Sequence, residues 1–479
     1  MGALTESSAS ELAAAIRDRR VSARDVVEAH IQRHQLLAPR INALAAERFE
    51  QAREEAAAAD SRIAAAGAEE TLPPLLGVPF TVKESIALRG MPQSTGLVMR
   101  REFRAAETAP PVQRLIDAGA IPLGVTNTSE LSLWIESTNR VYGCTNNPYD
   151  PGRTAGGSSG GEGAAVGSGA SPFGVGSDIG GSIRLPAFFC GVFGHKPSPG
   201  LVPNTGHYPP TAGRAAEMLA TGPLVRRAED LMPLLSIMAG PDGIDSYAIA
   251  MTIGDPGTVS LAELQVVTVE HASLLPISRA LRDARERAIG ALVSAGATVR
   301  RIALRSWRSA ALPFLATLQA SAEQQLTALL IEAGAGAPTW RGLARRGGPH
   351  TLPTRLTLAT ELLPGPGGGS RRRLLAAAES LASELKDAIG DGVLLHPAYP
   401  RTAPRHGRTV GRPWLLTPSA VFNLAGVPVT EVPLGLTPRG LPIGVQVAAS
   451  PGHDHLSIAV ALELERVFGG WVPPPEPVR

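Results

Sequence analysis

Apolar positions recur every three to four residues along the first part of the chain. Leu12 and Ile16, then Val26, Val27 and Ile31, share one face of a 3.6-residue repeat, which predicts helices from about Ser8 to Ala66. Ser8 or Ser10 is placed to cap the first helix and Ser22 the second. The alanine-rich stretch from Arg48 to Ala66 carries its charges on a polar face and reads as a long exposed helix. From Leu76 the pattern changes. Leu76 to Val82 reads as a short apolar strand with Lys83 at its end, Val112 to Ala118 as a helix, and Ile121 to Val125 as a strand. That alternation predicts a layered α/β protein.

Glycine and serine dominate from Gly156 to Gly206. Within that section Glu162 to Gly169 is small and apolar, which suits a buried helix packed close to a sheet. Gln265 to Val269, Ala280 to Ala295 and Ala297 to Val299 read as strand, helix, strand. Ser306 to Gly369 is helical but broken by Gly334 to Pro338 and by Pro364 to Gly369, and reads as a lid-like, substrate-facing insertion over about 306–370. A helix end at Leu381 to Gly390 leads to a buried strand, Val393 to Pro397. Val427 to Leu434 and Gly444 to Val447 follow as strands, and Leu456 to Val467 as a closing helix. No break isolates a piece with its own core. The expectation is therefore one domain over 1–479, with a helical part at about 8–66 and a core at about 76–240.

Composition narrows the function classes. A chain of 479 residues that is 44% hydrophobic can bury a large core. Net charge is +2, aromatics are 4%, and the only dense basic run is Arg371 to Arg373, which reads as a solvated helix start. Nucleic acid is thus not an expected partner. Two cysteines, Cys144 and Cys190, make neither a disulfide framework nor a metal site, and suit a reducing cytoplasm. No secretion signal is visible, and no apolar run approaches the ~20 residues of a transmembrane anchor. A surface amphipathic helix resting on a bilayer stays open.

Of the 45 basic residues only Lys83, Lys196 and Lys386 are lysine. Arginine cannot be deprotonated in a protein, whereas a desolvated lysine can become a neutral base. Lys83 lies upstream of two Ser/Gly blocks, Gly156-Gly157-Ser158-Ser159-Gly160-Gly161-Glu162-Gly163 and Gly176-Ser177-Asp178-Ile179-Gly180-Gly181-Ser182-Ile183-Arg184. Cleaving an amide takes a nucleophile with a base, donors for the oxyanion and a proton for the leaving nitrogen. Ser182 follows two glycines, so the N–H groups of Ile179, Gly180, Gly181 and Ser182 can converge on one oxygen, each worth roughly 3 kcal/mol in the transition state. Ser158 can relay a proton from Ser182 to Lys83. Bringing a lysine from about 10.4 to near neutrality costs on the order of 4 kcal/mol. Burial among Val78, Phe80 and Val82 is the expected cause. Taken alone, Gly180-Gly181 is also an ordinary tight turn. A rival reading makes Ser159 the nucleophile of a G-x-S-x-G elbow, but Asn146 to Gly152 ahead of it is no strand. A phosphate loop is excluded, because no G-K-[ST] follows the glycines. The histidines, among them His195, His207 and His396, need no chemical role.

The arrangement resembles the amidase signature family. Lys83, Ser158 and Ser182 match its Ser-cisSer-Lys triad, and Ile179 to Ser182 its oxyanion hole. Asn127, Glu130, Asn139, Arg153, Asp178, Arg184 to Ala187, Lys196-Pro197, Phe422 to Pro428 and Gly440 to Gln446 match as well. Ala155 stands where the family has proline. Within the family the motifs are most similar to fatty acid amide hydrolases, especially the second vertebrate form, through Val82 to Ser85, Gly90-Met91-Pro92, Gly161 to Gly163, Pro186 to Phe189 and Gly194 to Gly200. The resemblance implies an amidase signature fold, with a large central mixed β-sheet covered by helices on both faces. It implies a serine hydrolase of apolar amides, fatty or aryl, without cofactor or metal. Leu133, Trp134 and Ile135 would line the acyl pocket, although ordinary core positions read the same way. Carbamate, ester or anilide hydrolysis with the same triad is the alternative, and an amidotransferase subunit or a catalytically dead binding protein the remoter ones. The expected partner is a small-molecule substrate, with homodimerisation left open.

Overall fold

Serines start the first helices. Ser8 Oγ accepts the Glu11 N–H at 2.9 Å and Glu11 accepts the Ser8 N–H at 2.9 Å, a reciprocal cap on the helix Ala9–Arg17. Ser22 caps the next helix, Ala23–Ile41. The computed structural model describes residues 2–67, 70–270, 276–321, 326–345, 347–363 and 367–476. The Pro364 to Pro366 part of the second Gly/Pro break lies outside them.

The strands in chain order are β1 (Leu44–Glu47), β2 (Pro79–Lys83), β3 (Ile121–Thr126), β4 (Thr138–Asn139), β5 (Gly143–Cys144), β6 (Phe173–Asp178), β7 (Phe193–Lys196), β8 (Ala220–Val225), β9 (Gln265–Glu270), β10 (Thr298–Ala303), β11 (Val393–His396), β12 (Val429–Leu436) and β13 (Pro442–Ala449). Eleven form one sheet in the order β1-β3-β2-β6-β8-β7-β12-β13-β11-β9-β10, and β4 and β5 form a separate hairpin. β3, β2 and β6 run parallel, as do β10, β9 and β11; the other pairings are antiparallel. Strands β2, β3, β6, β7, β8, β11 and β13 are buried at every position, because helices cover both faces of the sheet. Phe80 of β2 stacks on Phe173 of β6 with ring centroids 5.1 Å apart. The rim strand β10 is largely exposed and presents Arg300 and Arg301, charges that guard a free edge.

The alternation of helix and strand held, with three corrections. The stretch read as a long exposed helix is Phe49–Ala65, and it buries Phe49, Ala52, Ala56, Ala59 and Ile63, because an alanine face packs as closely as a leucine one. β1 interrupts the N-terminal helices where none was expected. The strands β6, β7 and β8 also went unread. They are buried on both faces and rich in glycine, so they show neither alternation nor β-branched runs. The insertion is helical, over Ala311–Ser321, Leu326–Glu332, Trp340–Ala344 and Leu352–Glu361.

The parallel strands β3, β2 and β6 end together, with Lys83 directly paired to Thr126. Their C-terminal ends bring Lys83, Thr126 and Asp178 to one rim, the edge where open α/β sheets bind ligands.

A buried carboxyl lies outside this rim. Glu431 of β12 is fully buried with neither carboxylate oxygen partnered, seated where Gly444 lacks a side chain. Burial raises its carboxyl well above the usual range. The unfolded chain therefore loses this proton first as pH rises, and stability falls by at most about 1.4 kcal/mol per pH unit. Glu431→Gln should melt like the parent near pH 4 and progressively higher than it toward pH 8. Melting curves across that range check this, and a gain independent of pH would contradict it.

Candidate active site

Lys83 closes β2, and strand alternation puts its side chain on the same face as Thr81. Phe80 and Val82 point to the opposite face, where Phe80 meets Phe173. The desolvation expected from Val78, Phe80 and Val82 thus comes from elsewhere. Lys83 is fully buried, with Nζ 2.6 Å from Ser158 Oγ and 2.8 Å from Ser177 Oγ. Burial pushes the amine down to about 7, against the opposing pull of Asp178, Glu162 and Glu84. None of those carboxylates is bonded to Nζ. Glu162 instead accepts the hydroxyls of Thr81 at 2.6 Å and Thr126 at 2.8 Å, and burial raises it to about 8.

The first Ser/Gly block turns into the helix Gly160–Gly167. The Gly157–Ser158 peptide bond is cis. The backbone of Trp134 to Glu136 crosses so close over Gly157 that a Cβ there would stand 2.7 Å from it, which is why glycine is required. The Ser158 carbonyl accepts the hydroxyls of Thr128 at 2.9 Å and Ser137 at 2.8 Å, which pins the residue from behind. Ser159, the rival nucleophile, is fully buried and turns its hydroxyl into β6, 3.3 Å from the Ser177 carbonyl oxygen. No strand leads into it. Its N–H donates to the Ser182 carbonyl at 3.2 Å, which draws the two blocks together.

Asp178 organises the second block. Its carboxylate and the Arg184 guanidinium are both fully buried and joined at 3.0 and 3.1 Å. Asp178 also accepts the N–H groups of Gly181 at 2.7 Å and Ile183 at 3.1 Å, and the Asn423 side chain at 2.9 Å. Burial opposes its ionisation, but Arg184, Lys196 and Asn423 outweigh that and hold the carboxyl well below the usual range. Of the four expected oxyanion donors, the Gly181 N–H is bonded to Asp178. The N–H groups of Ile179, Gly180 and Ser182 find no acceptor among the described residues. Gly181 itself takes φ +118°, a conformation that favours glycine. Ser182 is 8% exposed, the most open of the three serines at the site.

The expected pocket residues separate. Ile135 is 3% exposed and belongs to the main apolar cluster, so for it the core reading prevails. Trp134 Nε1 donates to Thr409 Oγ1 at 2.8 Å, and Leu133 is 37% exposed. The insertion reaches the site: Phe314 lies against Gly180, and His350 and the Thr351 N–H hold the buried Glu130 at 2.6 and 2.7 Å. Lys196 is buried, its Nζ donating to the Pro197 carbonyl at 3.0 Å, and Lys386 is exposed. His195 pairs with Asp454 at 3.0 Å, and His396 bonds the Pro397 carbonyl. His207, set aside from sequence, stands 2.9 Å from Ser177 Oγ, and Ser177 itself was not singled out. Neither had a signal in its own neighbourhood. Among the described residues no group of three or more metal-ligating side chains occurs.

The chain is similar to known proteins over nearly its whole length. The sequence profile of the Amidase family matches residues 25–458. The chain is 42% identical over 494 residues to fatty-acid amide hydrolase 2-A of Danio rerio, covering 98% of this chain and 90% of that protein. It is 42% identical over 487 residues to fatty-acid amide hydrolase 2 of Homo sapiens, covering 97% and 89%. A solved structure from work on the evolutionary origins of an s-triazine catabolic enzyme superposes with a TM-score of 0.83 at 30% identity, covering 97% of this chain and 99% of the other.

With the Lys83 amine near 7, acylation by a fluorophosphonate should quicken about tenfold per pH unit below neutrality and level off above about pH 8. Stopped-flow or gel labelling across pH 5 to 9 measures it. A flat profile would rule out a titrating lysine.

Proposed function

Because the chain belongs to the amidase signature family and hydrolyses amide C–N bonds, we propose that Lys83, Ser158 and Ser182 are its catalytic triad and that apolar carboxylic amides are its substrates. The observation that carries this reading is the buried Lys83 Nζ, 2.6 Å from Ser158 Oγ. A neutral amine there accepts the Ser158 proton, and Ser158 accepts that of Ser182. Ser182 Oγ bonds to the amide carbon, and the carbonyl oxygen takes the negative charge. The N–H groups of Ile179, Gly180 and Ser182 receive that oxyanion. The C–N bond then breaks as the proton returns through Ser158 to the departing nitrogen, leaving an ester on Ser182. Water adds by the same path, releasing the acid and restoring the serine.

Leu133 and Trp134, with Phe314 of the insertion, border the acyl side in this reading. The relatives named fatty-acid amide hydrolases support an apolar acyl group, and count against an amidotransferase subunit. Carbamates, esters and anilides fit the same sequence of bond changes and stand as the second reading, since the triad acts only on the carbonyl. No helix among the described residues is long and apolar enough to cross a membrane. In this reading the enzyme works in the cytoplasm as one domain, which the free Cys144 and Cys190 and the eleven-stranded sheet support.

Two measurements test this. Ser182→Ala should abolish labelling and turnover while Ser159→Ala still acylates; the reverse result would make Ser159 the nucleophile. For p-nitroanilides from acetyl to dodecanoyl, kcat/KM should climb up to about fourfold per methylene. An early peak would move the assignment to aryl amides and carbamates.

A further inference from the structure

The Lys83 amine has a second partner that the triad leaves unexplained. Ser177 Oγ lies 2.8 Å from Nζ, and His207 Nε2 lies 2.9 Å from the same Ser177 oxygen. The other ring nitrogen, Nδ1, is 3.0 Å from the Pro209 carbonyl oxygen. A carbonyl only accepts, so Nδ1 carries the hydrogen. Burial and the nearby Lys83 charge lower the imidazole, which keeps the ring neutral and leaves Nε2 as an acceptor. Among the described residues, Ser85 Oγ, at 3.3 Å from Nε2, is the only other side chain on that nitrogen.

The remaining directions follow. Ser177 donates its one hydroxyl hydrogen to Nε2, so its oxygen meets Lys83 as an acceptor. A neutral lysine amine has two hydrogens and one lone pair. One hydrogen goes to Ser177, and the lone pair is left for the Ser158 hydroxyl at 2.6 Å. Without the imidazole, the Ser177 hydroxyl is free to turn and donate to that lone pair, occupying the base.

We propose that His207 is a positioning residue of the proton path: acting through Ser177, its neutral ring orients the Lys83 amine so that its lone pair faces Ser158. This rests on the triad reading above. The ring touches no reacting atom, and its effect falls on turnover rather than on substrate binding.

The test uses the full chain and a p-nitroanilide substrate, with melting temperatures to confirm folding. His207→Leu removes the acceptor and should lower kcat about tenfold, the scale of one lost hydrogen bond, with KM within about twofold. His207→Gln restores an acceptor and should recover kcat to within about threefold. Ser177→Ala removes the link and should lower kcat without being rescued by Gln at 207; it carries the test if His207→Leu does not fold. Equal losses in the Leu and Gln variants, a loss confined to KM, or no loss in either would overturn the proposal. A parent enzyme labelled by fluorophosphonate at Ser182 in a pH-dependent way keeps the triad reading in place whatever the 207 variants do. A parent that is not labelled there removes both.

Discussion

The buried Asp178–Arg184 pair is the interaction on which the rest of the site depends. Two charges with no exposed surface are costly unless their own polar atoms are satisfied. Here they are: Arg184 also donates to the Ser419 carbonyl at 3.0 Å, to Gln446 at 2.9 Å and to the Asn423 side-chain oxygen at 2.5 Å. Asp178 in turn gathers the Gly181 and Ile183 N–H groups. The loop 179–183 is thereby bent around a fixed anion. The same network ties the end of β6 to the helix Thr417–Ala425 and to β13, elements more than 200 residues away. A nucleophile on such a loop is held by the sheet rather than by its own turn.

Lys83 is the opposite case, a buried amine with no carboxylate bonded to it. Its direct partners are two serine hydroxyls, while Glu162 is held by threonines and Asp178 by Arg184. Depressing the amine to about 7 costs on the order of 5 kcal/mol of folding free energy. A direct carboxylate contact would recover that energy and keep the amine charged. Stability is supplied elsewhere, by the buried strands and the apolar cluster that runs through them. Seating the lysine at the last position of a strand, where parallel strands end together, gives a rigid backbone with an open rim.

Much of this was legible in order along the chain. Helix starts at Ser8 and Ser22, the strand ending at Lys83 and the small helix after Ser159 follow from capping, alternation and residue size. The three central strands β6, β7 and β8 did not, because burial on both faces erases the periodicity by which a strand is recognised. Ile135 illustrates the same limit: an apolar residue beside a site looks identical whether it lines a pocket or fills the core.

The amino-acid sequence alone determined the chemical inventory: one lysine among arginines ahead of two serine-glycine blocks, glycines where backbones must touch, and the α/β class. These are properties of residue type and local spacing. Only the tertiary structure decided which hydrogen bonds consume those groups. It commits the Gly181 N–H to Asp178, turns Ser159 into β6, and brings His207 onto Ser177 beside the amine. Such assignments join residues 3 to 262 positions apart, as Gly181 to Asp178 and Arg184 to Gln446 are. A donor has one hydrogen to give, and its recipient is settled only when the chain has folded back on itself.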